Sequence, residues 1–339
     1  MHKHKQSQCK RKVKHRKNVM GLIIFCITVC IVFMFAYYQN LRKEISVRQE
    51  WLETVLTREK KWILENQDPE GEIYMNGSKA GDVNPYFACM AALGLLAETK
   101  NCLMTETEQK AVGRYLDWHT GVLLETDGKM GIYRKENGKL IYKEKADSED
   151  GYLGMYLFLM GKYLEKTEST DLPESWKNGI SLALKKIQSL MQDGITQVSE
   201  ENTTVYLMDT LEVWKGLYEL ELAGLEDTQA ISEIRKKIQK QIEKIFWDDA
   251  NQRWRIIGNS DRYHQTEFYP DGVAQIYPLI YEFPVKEKKK QKVLYDQFTE
   301  RFQWQKLNKK RTGFLWAMTG MAAVQMRDIN NLVELIENY

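Results

Sequence analysis

Residues 151–164 read GYLGMYLFLMGKYL, and a helix built from them has no polar face, because Lys162 is their single charge. A helix apolar nearly all round is buried on most sides. Residues 228–247 are of the opposite type, with Ile231, Ile234, Ile238, Ile242 and Ile245 on one stripe and Lys and Glu elsewhere, the period of a half-buried helix. Residues 173–191 repeat that outer type through Trp176, Ile180, Leu184, Ile187 and Met191. The buried type recurs in YFACMAALGLLA (86–97), VYLMDTLEVWKGLYEL (205–220), GVAQIYPLIY (272–281) and GFLWAMTGMAAV (313–324). Inner helices therefore open near 85, 150, 205, 271 and 313, with outer helices between them, 49–66 before them and 329–338 after them. This alternation predicts a repeated helical hairpin and an all-α body over 49–339 with almost no strand. Packed with the apolar helices inside, it is an (α/α) toroid of five to six hairpins, with six outer and five inner helices, and its rival is an open α-solenoid.

The 339 residues are 43% hydrophobic, 28% charged and 11% aromatic, which places the chain in the globular class. Of its 49 basic residues eight fall in 1–18, which has no acid, leaving 41 basic against 47 acidic residues in the remainder. The basic tail thus precedes a mildly acidic body, and a nucleic-acid partner has no compositional support there. Residues 19–38, VMGLIIFCITVCIVFMFAYY, carry no charge over the length that spans a bilayer as a helix. They are expected to anchor the chain in the cell membrane as a single pass. The lysines and arginines before them put the N-terminus in the cytoplasm and the body outside, with 39–48 as a stalk. A cleaved signal peptide is the rival reading, but its apolar core is normally shorter and no A-x-A site follows.

Beyond the anchor only Cys89, Cys102, His119 and His264 offer sulfur or imidazole, so no metal site is expected. The GxSxG, GxGxxG and GxxxxGK[ST] signatures are missing, and no cofactor is implied. Acids do mark the inner-helix starts: Asp147, Glu149 and Asp150 in KADSEDGYLG, Asp209 in YLMDTLEVW, and Asp271 in FYPDGVAQ. Helix capping alone explains an Asp at such a place. The aromatic company at the same ends is what points to sugars: Tyr86, Tyr152, Tyr206, Trp214, Phe268, Tyr269 and Trp316. Rings stack on the CH faces of a pyranose while carboxylates act as acid, base or hydroxyl acceptor. For Trp214 and Trp316, deeper in their helices, a place in the core is an equal alternative. The lysine runs KEKKKQK (286–292) and KLNKKR (306–311) read as solvated ends of outer helices.

The hairpin order together with ADSEDGYLGMYLFLM (146–160) and FYPDGVAQIYPLIY (268–281) resembles the six-hairpin glycosidase superfamily, and most nearly the family 8 glycoside hydrolases. Ala146 to Asp150 fits that family's A-x-x-x-D stretch, which makes Asp150 the residue that binds the sugar at the cleavage point. Asp271, 121 residues further on, takes the place of its general base. The family's general acid is a Glu before the first inner helix, where this chain has GSKAGDVNPYFACMAAL and no Glu. Asp82 is the nearest replacement in position and Glu72 the nearest Glu. The resemblance implies an enzyme that hydrolyses a cell-surface or secreted polysaccharide or oligosaccharide with inversion. The missing Glu keeps open a catalytically degenerate glycan-binding shell, or a scaffold of an exopolysaccharide synthesis machine.

Overall fold

The computed structural model describes residues 48–75, 81–169, 171–225, 228–260, 267–286, 288–306 and 317–338. The basic tail 1–18, the expected anchor 19–38, residues 39–47 of the stalk, and Trp316 lie outside them. No helix among the described residues is long and apolar enough to cross a membrane. The chain divides into two compact units. In the smaller, of which 48–59 and 99–102 are described, Glu53 accepts hydrogen bonds from the Thr99 hydroxyl at 3.2 Å and the Asn101 amide at 3.0 Å. The larger, from Lys60 to Glu98 and from Leu103 onward, holds the alternating helices and the candidate site.

Helix α1 covers 48–65, its last turns belonging to the larger unit. Among the described residues the inner helices that follow are α2 (Pro85–Leu95), α4 (Glu149–Thr167), α6 (Leu207–Leu222), α8 (Val273–Ile280) and α10 (Thr319–Met326). The outer helices α3 (Glu106–Glu125), α5 (Glu174–Ser189), α7 (Thr228–Phe246), α9 (Lys288–Phe302) and α11 (Ile329–Asn338) alternate with them. Packing runs α2 on α4, α4 on α6, α6 on α8 and α8 on α10, so the apolar helices are one another's neighbours. The helix ends follow from local chemistry. Asn84 caps α2 by accepting the Tyr86 N–H at 2.9 Å, with Pro85 at the first helical position, where its missing N–H costs nothing. Ser148 caps α4, and Thr105 with Glu108 forms a capping box on α3.

The tightest junction is between α4 and α6, and glycine makes it possible. A Cβ on Gly154 would stand 2.6 Å from the Val213 amide nitrogen, and one on Gly216 would stand 2.3 Å from the Gly154 carbonyl oxygen. Backbones meet there with no side chain between them, which brings the two helix starts side by side. Toward the other end of the pair, Lys215 is buried between Glu219 at 2.7 Å and Glu282 at 2.8 Å. Lys162 of α4 reaches the same Glu219 at 2.9 Å.

The expectation of almost no strand needs correcting. β2 (Gly131–Glu136) and β3 (Lys139–Lys145) form a hairpin, and β1 (Asp82–Val83) pairs with β2 on its other side. The turn is Asn137-Gly138, both at positive φ, the pair that most favours a two-residue hairpin loop. Two shorter pairs matter less: β4 (Met191–Gln192) with β5 (Ile195–Thr196), and β6 (Trp247–Asp248) with β7 (Arg253–Trp254). Cys89 and Cys102 are both free thiols.

Gly154→Ala should force α4 and α6 apart. We expect a loss of about 3 kcal/mol or more, at the upper end of overpacking costs, because backbone rather than a side-chain tip would have to move. Gly224→Ala, at a site with open space around the added methyl but φ of +72°, should cost less. Chemical denaturation of the two variants tests the ranking.

Candidate active site

The starts of α4 and α6 bring four carboxylates together. Asp150, in the first turn of α4, is wholly buried; the Ser148 hydroxyl donates to its Oδ1 at 2.8 Å, and its Oδ2 makes no hydrogen bond. Because Ser148 is the cap, Asp150 is not explained as one. Burial raises its pKa to about 6, against the Thr196 and Ser148 hydroxyls, which act in the other direction. Asp209, half-buried in the first turn of α6, is pushed well above the usual carboxylate range, first by burial and then by the charges of Asp150 and Glu212. Asp147, exposed at the mouth, adds a further like charge.

Glu212 lies one turn below Asp209 and is 2% exposed. Its Oε1 accepts hydrogen bonds from Tyr86 of α2, from Tyr277 of α8 at 2.6 Å and from Tyr281, at the C-terminal cap of α8, at 3.3 Å. Three inner helices thus converge on one oxygen. The other oxygen faces Gly151, where a Cβ would approach it to 2.8 Å. Burial outweighs the three phenol donors and raises the Glu212 carboxyl to about 8. Sequence reasoning passed over Glu212. Its signal was available in DTLE, which puts Asp209 and Glu212 on one face of a helix otherwise apolar nearly all round.

Rings frame the group. Tyr86 and Tyr152 lie with centroids 5.7 Å apart, and Tyr269, 45% exposed, feels the charges of Asp209, Glu212 and Asp147. The structure therefore assembles Asp147, Asp150, Asp209, Tyr86, Tyr152 and Tyr269 around the added Glu212.

The other expected residues have different partners. Asp82 is clamped by Arg134 through Nε at 2.5 Å and Nη2 at 2.9 Å, a bidentate pair across the β1–β2 register. The hydrogen bonds from Arg134 hold its carboxyl below the usual range, whereas a general acid needs the reverse. Glu72 is buried beside Asp68 and Glu70, and Lys135 occupies the middle of the three at 3.5, 3.1 and 2.7 Å. That one ammonium offsets only part of the cluster's charge, and burial still raises the Glu72 carboxyl above the usual range. Asp271 accepts the Glu267 N–H at 3.4 Å and lines a cleft with Arg253, Gln275 and Arg301, which none of the four carboxylates lines. Trp214 is buried away from the mouth, stacked on Tyr218 at 5.4 Å and edge-on to Phe283.

This fold is similar to two solved structures, each described as a glycosidase and one in complex with glucose. The TM-score is 0.60 for both, at 12% and 13% identity, over 84% of this chain and 82% of theirs. A rhamnosidase from Klebsiella oxytoca with rhamnose bound is similar at TM-score 0.50 and 11% identity, over 75% of this chain and 48% of its own. No family model and no curated protein sequence matches. What this chain shares with those structures is its helical fold.

The buried acids have a consequence for stability. A folded-state pKa of about 8 for Glu212, against 4.5 unfolded, means that between those values the folded chain keeps a proton the unfolded chain has lost. Stability contributed below pH 4.5 is then lost as pH rises toward 8, and Asp150 adds to the fall between 3.8 and about 6. Glu212→Gln keeps an acceptor for the tyrosines and cannot ionise. It should flatten the decline and be the more stable protein at pH 8, by on the order of 1–3 kcal/mol. Thermal melts of both proteins from pH 4 to 9 check this, and parallel curves would refute it.

Proposed function

We propose that this chain is a glycoside hydrolase acting on cell-surface or secreted polysaccharide, tethered by 19–38 with its body outside the cytoplasm. The observation that carries this reading is the gathering of Asp147, Asp150, Asp209 and Glu212 at one ring-framed mouth of a fold shared with solved glycosidases. Like charges and burial keep a proton on such a group near neutral pH, as protonating a glycosidic oxygen requires. Asp209, half-buried with its pKa raised, is the proton donor in this proposal. Asp150, at the position the family 8 resemblance gives to the sugar-binding residue, is wholly buried and acts through its charge, which helps keep the proton on Asp209. Asp147, exposed at the same mouth, activates water in place of Asp271. Glu212 is sealed from solvent and acts by positioning Tyr86.

A second reading, a glycan-binding shell without hydrolysis or a scaffold of an exopolysaccharide synthesis machine, draws support from one feature. Both residues nearest the family's acid, Asp82 and Glu72, are held by cations.

Hydrolysis of a panel of β-linked oligosaccharides by the full chain separates these readings. Asp209→Asn and Asp147→Asn should each lower kcat by about 10²-fold or more, the usual worth of acid–base catalysis, while Asp271→Asn stays within a few-fold of wild type. Loss confined to Asp271→Asn would return the base to that residue. Binding without turnover in wild type would establish the shell.

A further inference from the structure

The outer wall carries a second place where a ligand fits. Two adjoining clefts, of 300 and 640 Å³, run along α7 and share Lys240, Glu243 and Lys286. Their described cations are Arg235, Lys236, Lys240, Lys244, Lys286 and Lys290, six against the three acids Glu243, Asp249 and Glu282. The local balance is opposite to that of residues 19–339, with 41 basic and 47 acidic residues. Lys236, Lys240 and Lys244 recur every fourth residue, so they form one exposed row with steps of about 6 Å along the helix. Rings stand at both ends. Tyr218, stacked on Trp214, lies under the Arg235 guanidinium at 5.6 Å; at the far end Trp247 packs edge-on to Trp254, with the Lys290 ammonium 5.1 Å from its ring.

We infer that this groove binds an acidic polysaccharide, a chain of sugars bearing carboxylate groups, along α7 and apart from the mouth between α4 and α6. The lysine row meets the carboxylates, and the half-buried faces of Trp247 and Tyr218 meet the sugar rings. Glu243 is engaged by Lys286 at 2.7 Å and Glu282 by Lys215 at 2.8 Å, so the lysine row on α7 is the part left to meet a polyanion, and the rings at both ends suit the faces of sugars. The concave wall also fits an extended chain better than the flat surface of a bilayer. The groove itself is independent of the proposed function, while choosing a glycan among polyanions rests on the carbohydrate reading above.

The test is binding of the full chain to polygalacturonate, to a neutral β-glucan, to a single-stranded DNA oligonucleotide and to phosphatidylglycerol vesicles. Polygalacturonate should bind, with affinity falling steeply between about 50 and 200 mM salt. The triple variant Lys236→Gln, Lys240→Gln, Lys244→Gln should weaken that binding about tenfold or more, with an unchanged circular dichroism spectrum. Trp247→Leu, which keeps every lysine, should weaken it as well. Asp209→Asn should leave it unchanged, so failure of the catalytic proposal and failure of this one are separately visible. Polygalacturonate binding that ignores the lysine row overturns the inference, as does DNA or vesicle binding through the same row at equal or higher affinity.

Discussion

The backbone contact of α4 with α6 is the constraint on which the candidate site depends. Helices ordinarily stand 8–10 Å apart because side chains separate them. Gly154 and Gly216 remove that spacer, and the carbonyl of one helix lies against the Cα of the other. Two consequences follow at the N-terminal ends. Asp150 and Asp209 come within electrostatic reach of each other, and the side chain of Glu212 fits under α4 because residue 151 is also a glycine. A larger residue at any of these places would separate the acids whose burial and mutual repulsion set the protonation of the group.

Charge is handled in two ways in this molecule. Away from the mouth cations face the acids: Asp82 meets Arg134, Glu219 meets Lys215 and Lys162, Glu108 meets Lys60, and the one Lys135 faces Asp68, Glu70 and Glu72 together. At the mouth the strongest influences on Asp209 after burial are other carboxylates. Buried acids without a compensating cation reduce stability unless they hold a proton, and the protons held by Asp209 and Glu212 are the form the fold selects. Glu212 is the structural half of this arrangement. Its tyrosines tie α2 and α8 to α6, and Tyr86, one of its donors, also frames the mouth, so a sealed carboxyl fixes the orientation of an exposed ring.

The two surfaces differ in sign as well as in place. Acids and tyrosines face inward at the starts of α4 and α6, whereas lysines, with tyrosine and tryptophan rings, line the outer face of α7. One helix can serve both layers because α6 turns Asp209 and Glu212 to the mouth and Trp214 and Tyr218 to the groove beside α7. An acid-rich mouth suits neutral or hydroxyl-rich sugars, and a lysine row suits acidic ones.

How much of this was legible in the chain depended on the range of the interaction. The alternation of striped and wholly apolar segments determined the order of inner and outer helices, because burial of a helix face is written in its own 3.6-residue period. The ends of α2 and α7 fall within about three residues of where pattern and cap residues place them, and Asp150 and Asp209 at two helix starts were visible for the same local reason. The Asn137-Gly138 hairpin was equally local and was overlooked, since the surrounding helical pattern dominated the reading. Which acids are neutralised was not local. Arg134 lies 52 residues from Asp82, Tyr86 lies 126 from Glu212, and the cleft of Asp271 is made by residues of β7 and α9. A carboxylate has the same letter whether a cation or a second carboxylate faces it, so only the packing of α4 on α6 and of β1 on β2 decided which acids hold protons and which hold strands together.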